Sequence, residues 1–161
     1  MKKNTPLPAA FDDAFIQGLT EIFEQRIVFN SVLGLKITAI KPEGVAMGRL
    51  DMKPDLVGHF LTNQLHGGVI CTGLDAMAGL ACMAAIGGRH MDEPVAHRLA
   101  RFVKLGTIDL RVDFLRRAIG TSFLLRAEVL RLGSRVASTR MEFSGADGQL
   151  LAFGSAAFMV S

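Results

Sequence analysis

The chain has 161 residues, half of them hydrophobic and a fifth charged, which predicts one globular domain over residues 1–161 and excludes a disordered chain. The net charge of +3 is small, but residues 101–140 contain eight Arg and one Lys. We expect this basic surface to attract a phosphorylated ligand or an acidic carrier, and a solvated strand face is the alternative for most of these arginines. Nucleic acid is not expected as a partner, because the sequence lacks zinc-finger spacing, an aromatic RNA-binding signature and a continuous basic run.

The spacing of apolar residues predicts the elements of the first two thirds of the chain. A helical period over residues 9–29 predicts an N-terminal helical extension covering 1–30. The elements expected after it are strands at 32–40 and 45–52, an irregular segment at 53–65, a long apolar helix from Gly67 to about Ile86, and a charged, mobile connection at 89–105. The glycines Gly87 and Gly88 are expected to end the long helix.

The last third alternates apolar and polar residues with a period of two, which predicts antiparallel strands. The strands are expected at 108–114, 123–129, 137–143 and 150–160, with a hairpin turn at Asp147 and Gly148. The last strand is apolar on both faces, so we expect it to be covered on both sides. These elements predict an α+β domain in which an antiparallel sheet of five to six strands wraps around one long central helix, with an additional N-terminal helix.

Asp75 is the only charged residue between Gly67 and Ile86. A membrane span is not expected, because an acidic residue near its centre would cost about 2.5–3.5 kcal/mol. Burying a lone carboxylate inside a globular protein costs several kcal/mol unless it is paired, hydrogen-bonded or protonated. Asp75 is therefore a candidate functional acid, and a buried acid held by structural hydrogen bonds is the alternative.

The start of the same helix is suited to binding an oxyanion. His66, Gly67 and Gly68 open it with unpaired backbone N–H groups at the positive end of the helix dipole. The two glycines let a carbonyl oxygen approach closely. Nine residues separate His66 from Asp75, which corresponds to about 13 Å along the axis and to opposite faces of the helix. If Asp75 acts on a group held at the helix start, it must come from a second copy of the chain.

These residues resemble the hot-dog-fold thioesterases of the PaaI type, in the 4-hydroxybenzoyl-CoA thioesterase-like superfamily. The resemblance rests on His66-Gly67-Gly68 followed by Asp75, and it extends to the strand that ends at Phe114-Leu115-Arg116-Arg117. It implies hydrolysis of acyl-CoA thioesters, with Asp75 as general base or nucleophile. It also implies that the Gly67 N–H binds the thioester oxygen, that His66 sets the local geometry, and that two subunits share each active site.

The family often has an Asn six residues before the His, where this chain has Phe60. His59 and Asn63 flank that position and are candidates for part of its role. Because CoA carries phosphate charges, a basic rim is expected. The candidate substrate-binding residues are His59, Asn63, Gly68, Lys104, Arg116 and Arg117. A medium or long acyl chain is the preferred substrate, with Met47, Met77 and Met83 as candidates for an acyl tunnel.

Two other functions remain open. The first is a hot-dog dehydratase or hydratase that uses His59 with Asp75, and the second is a non-catalytic acyl-CoA binding module. No metal or cofactor is expected, since the four histidines form no zinc-ligand pattern with cysteine. Cys71 and Cys82 look like small buried residues of a reducing compartment, so a cytoplasmic enzyme of lipid metabolism is expected, as a homodimer or a dimer of dimers.

Overall fold

The computed structural model describes residues 10–161. The described residues contain four α-helices: α1 (Asp13–Glu21), α2 (Val28–Leu33), α3 (Gly67–Arg89) and α4 (Val95–Ala100). A π-helical turn covers Ile22–Arg26, and 3₁₀ turns cover Pro54–Leu56 and Arg101–Lys104. The strands are β1 (Lys36–Lys41), β2 (Val45–Asp51), β3 (Val57–His59), β4 (Gln64–Leu65), β5 (Gly106–Phe114), β6 (Ser122–Leu132), β7 (Val136–Gly145) and β8 (Leu150–Met159).

Six strands form one antiparallel sheet in the order β1-β2-β6-β7-β8-β5. The sheet wraps around α3. Because β1 and β5 stand at the ends of this order, they are the two edge strands. The strands β3 and β4 form a separate two-stranded ribbon that leads directly into α3. The predicted α+β arrangement, an antiparallel sheet of five to six strands around one long central helix with an additional N-terminal helix, is confirmed, and the sheet has six strands.

Helix α3 is the centre of the hydrophobic core and runs to Arg89, past the predicted end near Ile86. Gly87 and Gly88 lie inside it because neighbouring groups approach the helix too closely for a side chain. A Cβ on Gly88 would lie 2.3 Å from the Pro42 carbonyl oxygen, and one on Gly87 would lie 2.4 Å from the Phe15 ring. Although α3 is long and apolar enough to cross a membrane, most of it is buried inside this fold.

The predicted single N-terminal helix is instead divided. The π-helical turn separates α1 from α2, and the buried Asn30 side chain donates to the Phe23 carbonyl oxygen at 2.9 Å. Gly34 ends α2 in the left-handed conformation, at φ 76°, so β1 begins at Lys36 and the strand predicted from residue 32 is wrong in its first four residues. The part of the predicted extension over 1–9 lies outside the described residues.

The connection over 89–105 was predicted to be mobile, but it contains α4 and a 3₁₀ turn. The buried Arg98 side chain pairs with Asp12, which caps α1, and its guanidinium lies 4.4 Å from the centre of the Phe15 ring. The Arg98 hydrogen bond holds the pKa of the Asp12 carboxyl below its usual value. This contact fixes α4 against α1.

Two strand predictions also need correction. Strand β8 alternates, with Phe153, Ser155 and Met159 exposed, so only one of its faces is covered within the chain. In β5 a β-bulge interrupts the alternation at Ile108, because Thr107 pairs with Phe158 while Asp109 pairs with Ala157. The side chain of Ile108 is 59% exposed as a result.

Candidate active site

His66 caps the N-terminus of α3. Its backbone is extended, and its Nδ1 accepts a hydrogen bond from the Gly68 N–H at 2.9 Å. A neutral ring that accepts at Nδ1 carries its proton on Nε2. The Gly68 N–H is therefore already used, whereas no group in residues 10–161 accepts from the Gly67 N–H. The helix start thus presents one free donor, at Gly67, whereas a Cβ on Gly68 would lie 3.0 Å from the Nδ1 of His66.

A cavity of about 330 Å³ lies beside Gly67. The Phe114 ring forms one wall, 3.4 Å from the position that a Cβ on Gly67 would take. The predicted basic residues Arg116 and Arg117 are exposed on the same cavity, and Arg116 donates to the Leu150 carbonyl oxygen at 3.0 Å. The two arginines and the free N–H donor therefore line one cavity, and a role for these arginines in binding CoA stays a prediction.

The predicted polar residues before the helix lie on the β3–β4 ribbon. His59 is exposed, with its Nδ1 3.2 Å from the Thr62 hydroxyl, and Asn63 holds a turn with a positive φ of 49°. Phe60, at the position where the family often has Asn, is 83% exposed at the tip of the ribbon. Within one chain, none of the three lines either of the cavities beside Gly67 and Asp75.

Asp75 opens into a second cavity, of about 240 Å³. It is half-buried and not enclosed as the sequence suggested, and one carboxylate oxygen accepts from the Thr107 hydroxyl at 2.9 Å. Asp75 is the only charged side chain among the described residues that line this cavity. The other lining residues are Phe23, Ile27, Phe29, Asn30, Thr72, Ala76, Gly79, Phe102, Leu105, Gly106, Thr107 and Phe158. The carboxylate therefore faces an apolar space with one hydrogen bond to orient it.

The bulge in β5 explains why the sequence pattern did not predict that Thr107 contacts Asp75. Strict alternation would place Thr107 on the same face as Asp109 and Arg111, pointing away from α3. The extra residue at Ile108 turns Thr107 to the face of its partner Phe158, which is buried. Bulges are common next to active sites for this reason, since they redirect one side chain without moving the strand.

The structure does not bring all the predicted residues together. Gly67 and Asp75 are separated along α3 by about 12 Å, so one chain cannot place both on a single carbonyl group. Lys104 lines a different cavity, of about 250 Å³, with Arg89 and Arg101 near the other end of α3. Met77 and Met83 are fully buried core residues, and Met47 is partly exposed; none lines the Asp75 cavity.

Neither a metal site nor a reactive thiol accompanies these groups. Within residues 10–161, no cluster of three or more His, Cys, Asp or Glu side chains could hold a metal ion. Cys71 and Cys82 are free, and burial raises the pKa of both thiols, that of Cys82 to about 12. Both stay protonated at neutral pH and are poor nucleophiles.

A six-stranded antiparallel sheet wrapped around one long helix defines the hot-dog fold. The sequence profile of the thioesterase superfamily matches residues 63–152. The chain belongs to the thioesterase superfamily and is a thioester hydrolase.

Relatives support this assignment over nearly the whole chain. The medium/long-chain acyl-CoA thioesterase YigI of Salmonella typhimurium is 36% identical over 143 residues, which cover 87% of this chain and 90% of the relative. YigI of Escherichia coli is 35% identical over the same lengths. A crystal structure of a Shewanella oneidensis protein related to the thioesterase superfamily superposes with a TM-score of 0.84 at 35% identity, covering 93% of this chain and 99% of that one.

Proposed function

We propose that this protein hydrolyses medium- or long-chain acyl-CoA thioesters to the free acid and CoA at sites shared between two subunits. One observation carries the proposal: strand β5 touches both chemical groups, through Thr107 bonded to Asp75 at one end and Phe114 beside Gly67 at the other. The names of the YigI relatives support acyl-CoA as the substrate class and the preference for longer acyl chains.

The position of β5 supports the sharing of sites. It is an edge strand of nine residues, and it exposes Ile108 by 59% and Phe114 by 54%. An exposed apolar edge promotes pairing with another strand. When two copies pair antiparallel over their full length, Gly106 faces Phe114 of the partner subunit and Thr107 faces Asp113 of the partner subunit. The Asp75 end of one chain then lies beside the Gly67 end of the other, twice in each dimer.

The chemistry follows from this arrangement. In the general-base route, a water oxygen adds to the thioester carbon while its proton moves to Asp75. The negative charge that develops on the carbonyl oxygen accepts a hydrogen bond from the Gly67 N–H of the partner subunit, at the positive end of its helix. The C–S bond then breaks, and the CoA sulfur leaves with a proton from Asp75. In the nucleophilic route, a carboxylate oxygen of Asp75 bonds to the same carbon, and the C–S bond breaks to release the CoA thiolate. Water then hydrolyses the resulting mixed anhydride, which frees the acid, regenerates the Asp75 carboxylate and supplies the proton that the thiolate takes up.

The roles of the remaining groups follow from their positions. His66 is a positioning residue, since its ring accepts a hydrogen bond from the Gly68 N–H and leaves the Gly67 N–H free for the substrate. Arg116 and Arg117 lie where CoA phosphates would arrive at the helix start. The free cysteines fit a reducing compartment, so we place the reaction in the cytoplasm, in lipid metabolism.

The decisive experiment follows thiol release from acyl-CoAs of increasing chain length with the wild-type protein and Asp75→Asn. Loss of a positioned general base predicts a fall in kcat of about 10²–10⁴-fold. Asp92→Asn, at an exposed turn, is the matched control and should keep full activity.

Each alternative has a distinct result. Unchanged thiol release by Asp75→Asn would remove Asp75 from the reaction. Hydration of enoyl-CoA without thiol release would identify the dehydratase that uses His59 and Asp75. Tight binding of acyl-CoA with neither reaction would identify a non-catalytic binding module.

A further inference from the structure

One cavity lies outside the groups that perform the proposed chemistry. It is a groove of about 690 Å³ between the N-terminal helices and α4. The residues that line it are Gly18, Glu21, Ile22, Arg26, Ile27, Ala96, Leu99, Ala100, Phe102, Val103 and Leu105. Its volume falls within the range of small-molecule sites, about 300–1,000 Å³, whereas the Asp75 cavity alone falls below that range.

The groove adjoins the Asp75 cavity. Ile27, Phe102 and Leu105 line both spaces, so these three half-buried side chains form the partition between them. The Phe23 ring lies on the Asp75 side, with its centre 5.7 Å from that of Phe102. A ligand whose reacting carbon lies at Asp75 can therefore continue into the groove only past this partition.

The lining of the groove suits an uncharged, flexible ligand. Its only charged residues are Glu21 and Arg26, which pair with each other at 2.9 Å and are both exposed at the rim. The rest of the lining is aliphatic or aromatic apart from Gly18. Such a surface binds an alkyl chain by removing apolar area from water, and it offers no partner to a polar ligand.

The local backbone supports a binding role. One wall is the π-helical turn Ile22–Arg26, a rare conformation that occurs frequently at functional sites. The amide of Asn30, itself a lining residue of the Asp75 cavity, donates to the Phe23 carbonyl oxygen within this turn. The same turn therefore shapes both the groove and the Asp75 cavity.

We infer that the groove between α1 and α4 holds the distal part of the substrate's acyl chain, with Ile27, Phe102 and Leu105 as the passage from Asp75. The inference rests on the proposed acyl-CoA hydrolysis. It assigns the N-terminal helices, which lie outside the matched range 63–152, to the choice of acyl-chain length.

The test fills the groove and measures the dependence on chain length. Ala100→Trp places a large ring in the groove from an exposed position of α4, and Ala96→Trp does the same from one turn earlier. kcat/KM is measured with butanoyl-, octanoyl-, dodecanoyl- and hexadecanoyl-CoA. Ala146→Trp, the same change in the exposed β7–β8 turn, is the control.

We expect butanoyl-CoA hydrolysis to be unchanged and hexadecanoyl-CoA hydrolysis to fall by at least tenfold in both groove variants. Each methylene kept out of an apolar site costs about fourfold in affinity, so excluding two already produces that loss. A chain-length profile identical to wild type, or an equal loss with butanoyl-CoA, would overturn the inference.

A binding measurement separates this inference from the proposed function. Calorimetric titration with dodecanoate should show weaker binding to Ala100→Trp than to Ala146→Trp, whether or not any acyl-CoA is hydrolysed. If the wild type releases no thiol but this difference is found, the proposed reaction fails and the groove assignment stands. Equal dodecanoate binding by both variants would refute the assignment of the groove to the acyl chain. A change in the mass of the oligomer in solution on filling the groove would also refute it, because it would identify the groove as a contact between subunits.

Discussion

The two cavities along α3 differ in almost every physical property. The cavity at Gly67 has a free N–H donor at a helix N-terminus and two exposed arginines. The cavity at Asp75 is lined by four phenylalanines and a single carboxylate. One therefore favours negative charge and the other favours apolar groups. An acyl-CoA has the same division, with phosphates at one end and an alkyl chain at the other, and its thioester lies between them.

The difference also indicates why neither cavity is a complete site. Stabilising an oxyanion requires the donor at Gly67, and activating water requires the acid at Asp75. Within one chain the helix keeps them apart by about 12 Å. Variants that alter one cavity and leave the other intact should therefore distinguish three contributions to catalysis. These are the binding of the CoA phosphates, the chemical step and the binding of the acyl chain.

After Asp75→Asn, the largest effect is expected from Gly67→Pro, which removes the free donor. Proline suits the first position of a helix, and the extended backbone of His66 suits a residue before proline, so the fold should be retained. Loss of one oxyanion donor predicts a fall in kcat of about 10²–10³-fold. Gly67→Ala is the control because it keeps the N–H, while its Cβ would lie 3.4 Å from Phe114.

Mixing Gly67→Pro with Asp75→Asn then tests the sharing of sites. A hybrid dimer contains one site with both groups intact, so partial activity should return after subunit exchange. Exchange demonstrated by mass spectrometry without any recovery of thiol release would refute the sharing of a site by Gly67 and Asp75 of two subunits.

A smaller effect is expected from Thr107→Val, which removes the hydrogen bond that orients Asp75 but preserves the shape of the side chain. A fall in kcat of about tenfold is expected, equivalent to about 1.4 kcal/mol, at the lower limit of the contribution of a hydrogen bond to a charged group. Thr107→Ser keeps the hydroxyl and should recover most of the rate. Equal rates for the Val and Ser variants would show that this contact does not position the acid.

The smallest effect is expected from Arg117→Gln, on the Gly67 side. Exposed charges act weakly and are screened by salt, so KM for acyl-CoA should rise about threefold at low ionic strength and less at high ionic strength. kcat should not change. Arg135→Gln, at an exposed position in the β6–β7 turn, is the matched control, and an equal effect there would mean that only net charge matters.

Periodicity predicted the sheet and the central helix because both patterns are local. The alternation in β6 and β7, and the apolar run that became α3, each lie within one element. Gly67 and Asp75 could be identified on that helix for the same reason. The predicted end of α3 was wrong because Gly87 and Gly88 are needed for close packing against Phe15 and Pro42, which are distant in sequence.

The remaining features depend on contacts that no local pattern contains. The burial of Arg98 follows from its pairing with Asp12, 86 residues earlier, so α4 could not be predicted from its own charged sequence. The N-terminal wall of the Asp75 cavity likewise exists only once α2 has docked on α3. The sequence pattern could not identify Thr107 as a partner of Asp75, because a bulge changes the direction of a side chain without changing the composition of the strand.

The bulge at Ile108 also bears on how this strand can evolve. Thr107 and Phe114 must both face their groups on α3, and the extra residue sets their relative direction. Replacing an outward side chain of β5 leaves that relation intact, whereas inserting or deleting one residue between them would turn one end to the opposite face. The length of β5 is therefore more constrained than its composition, and related sequences that keep this site should differ here by substitutions and not by gaps.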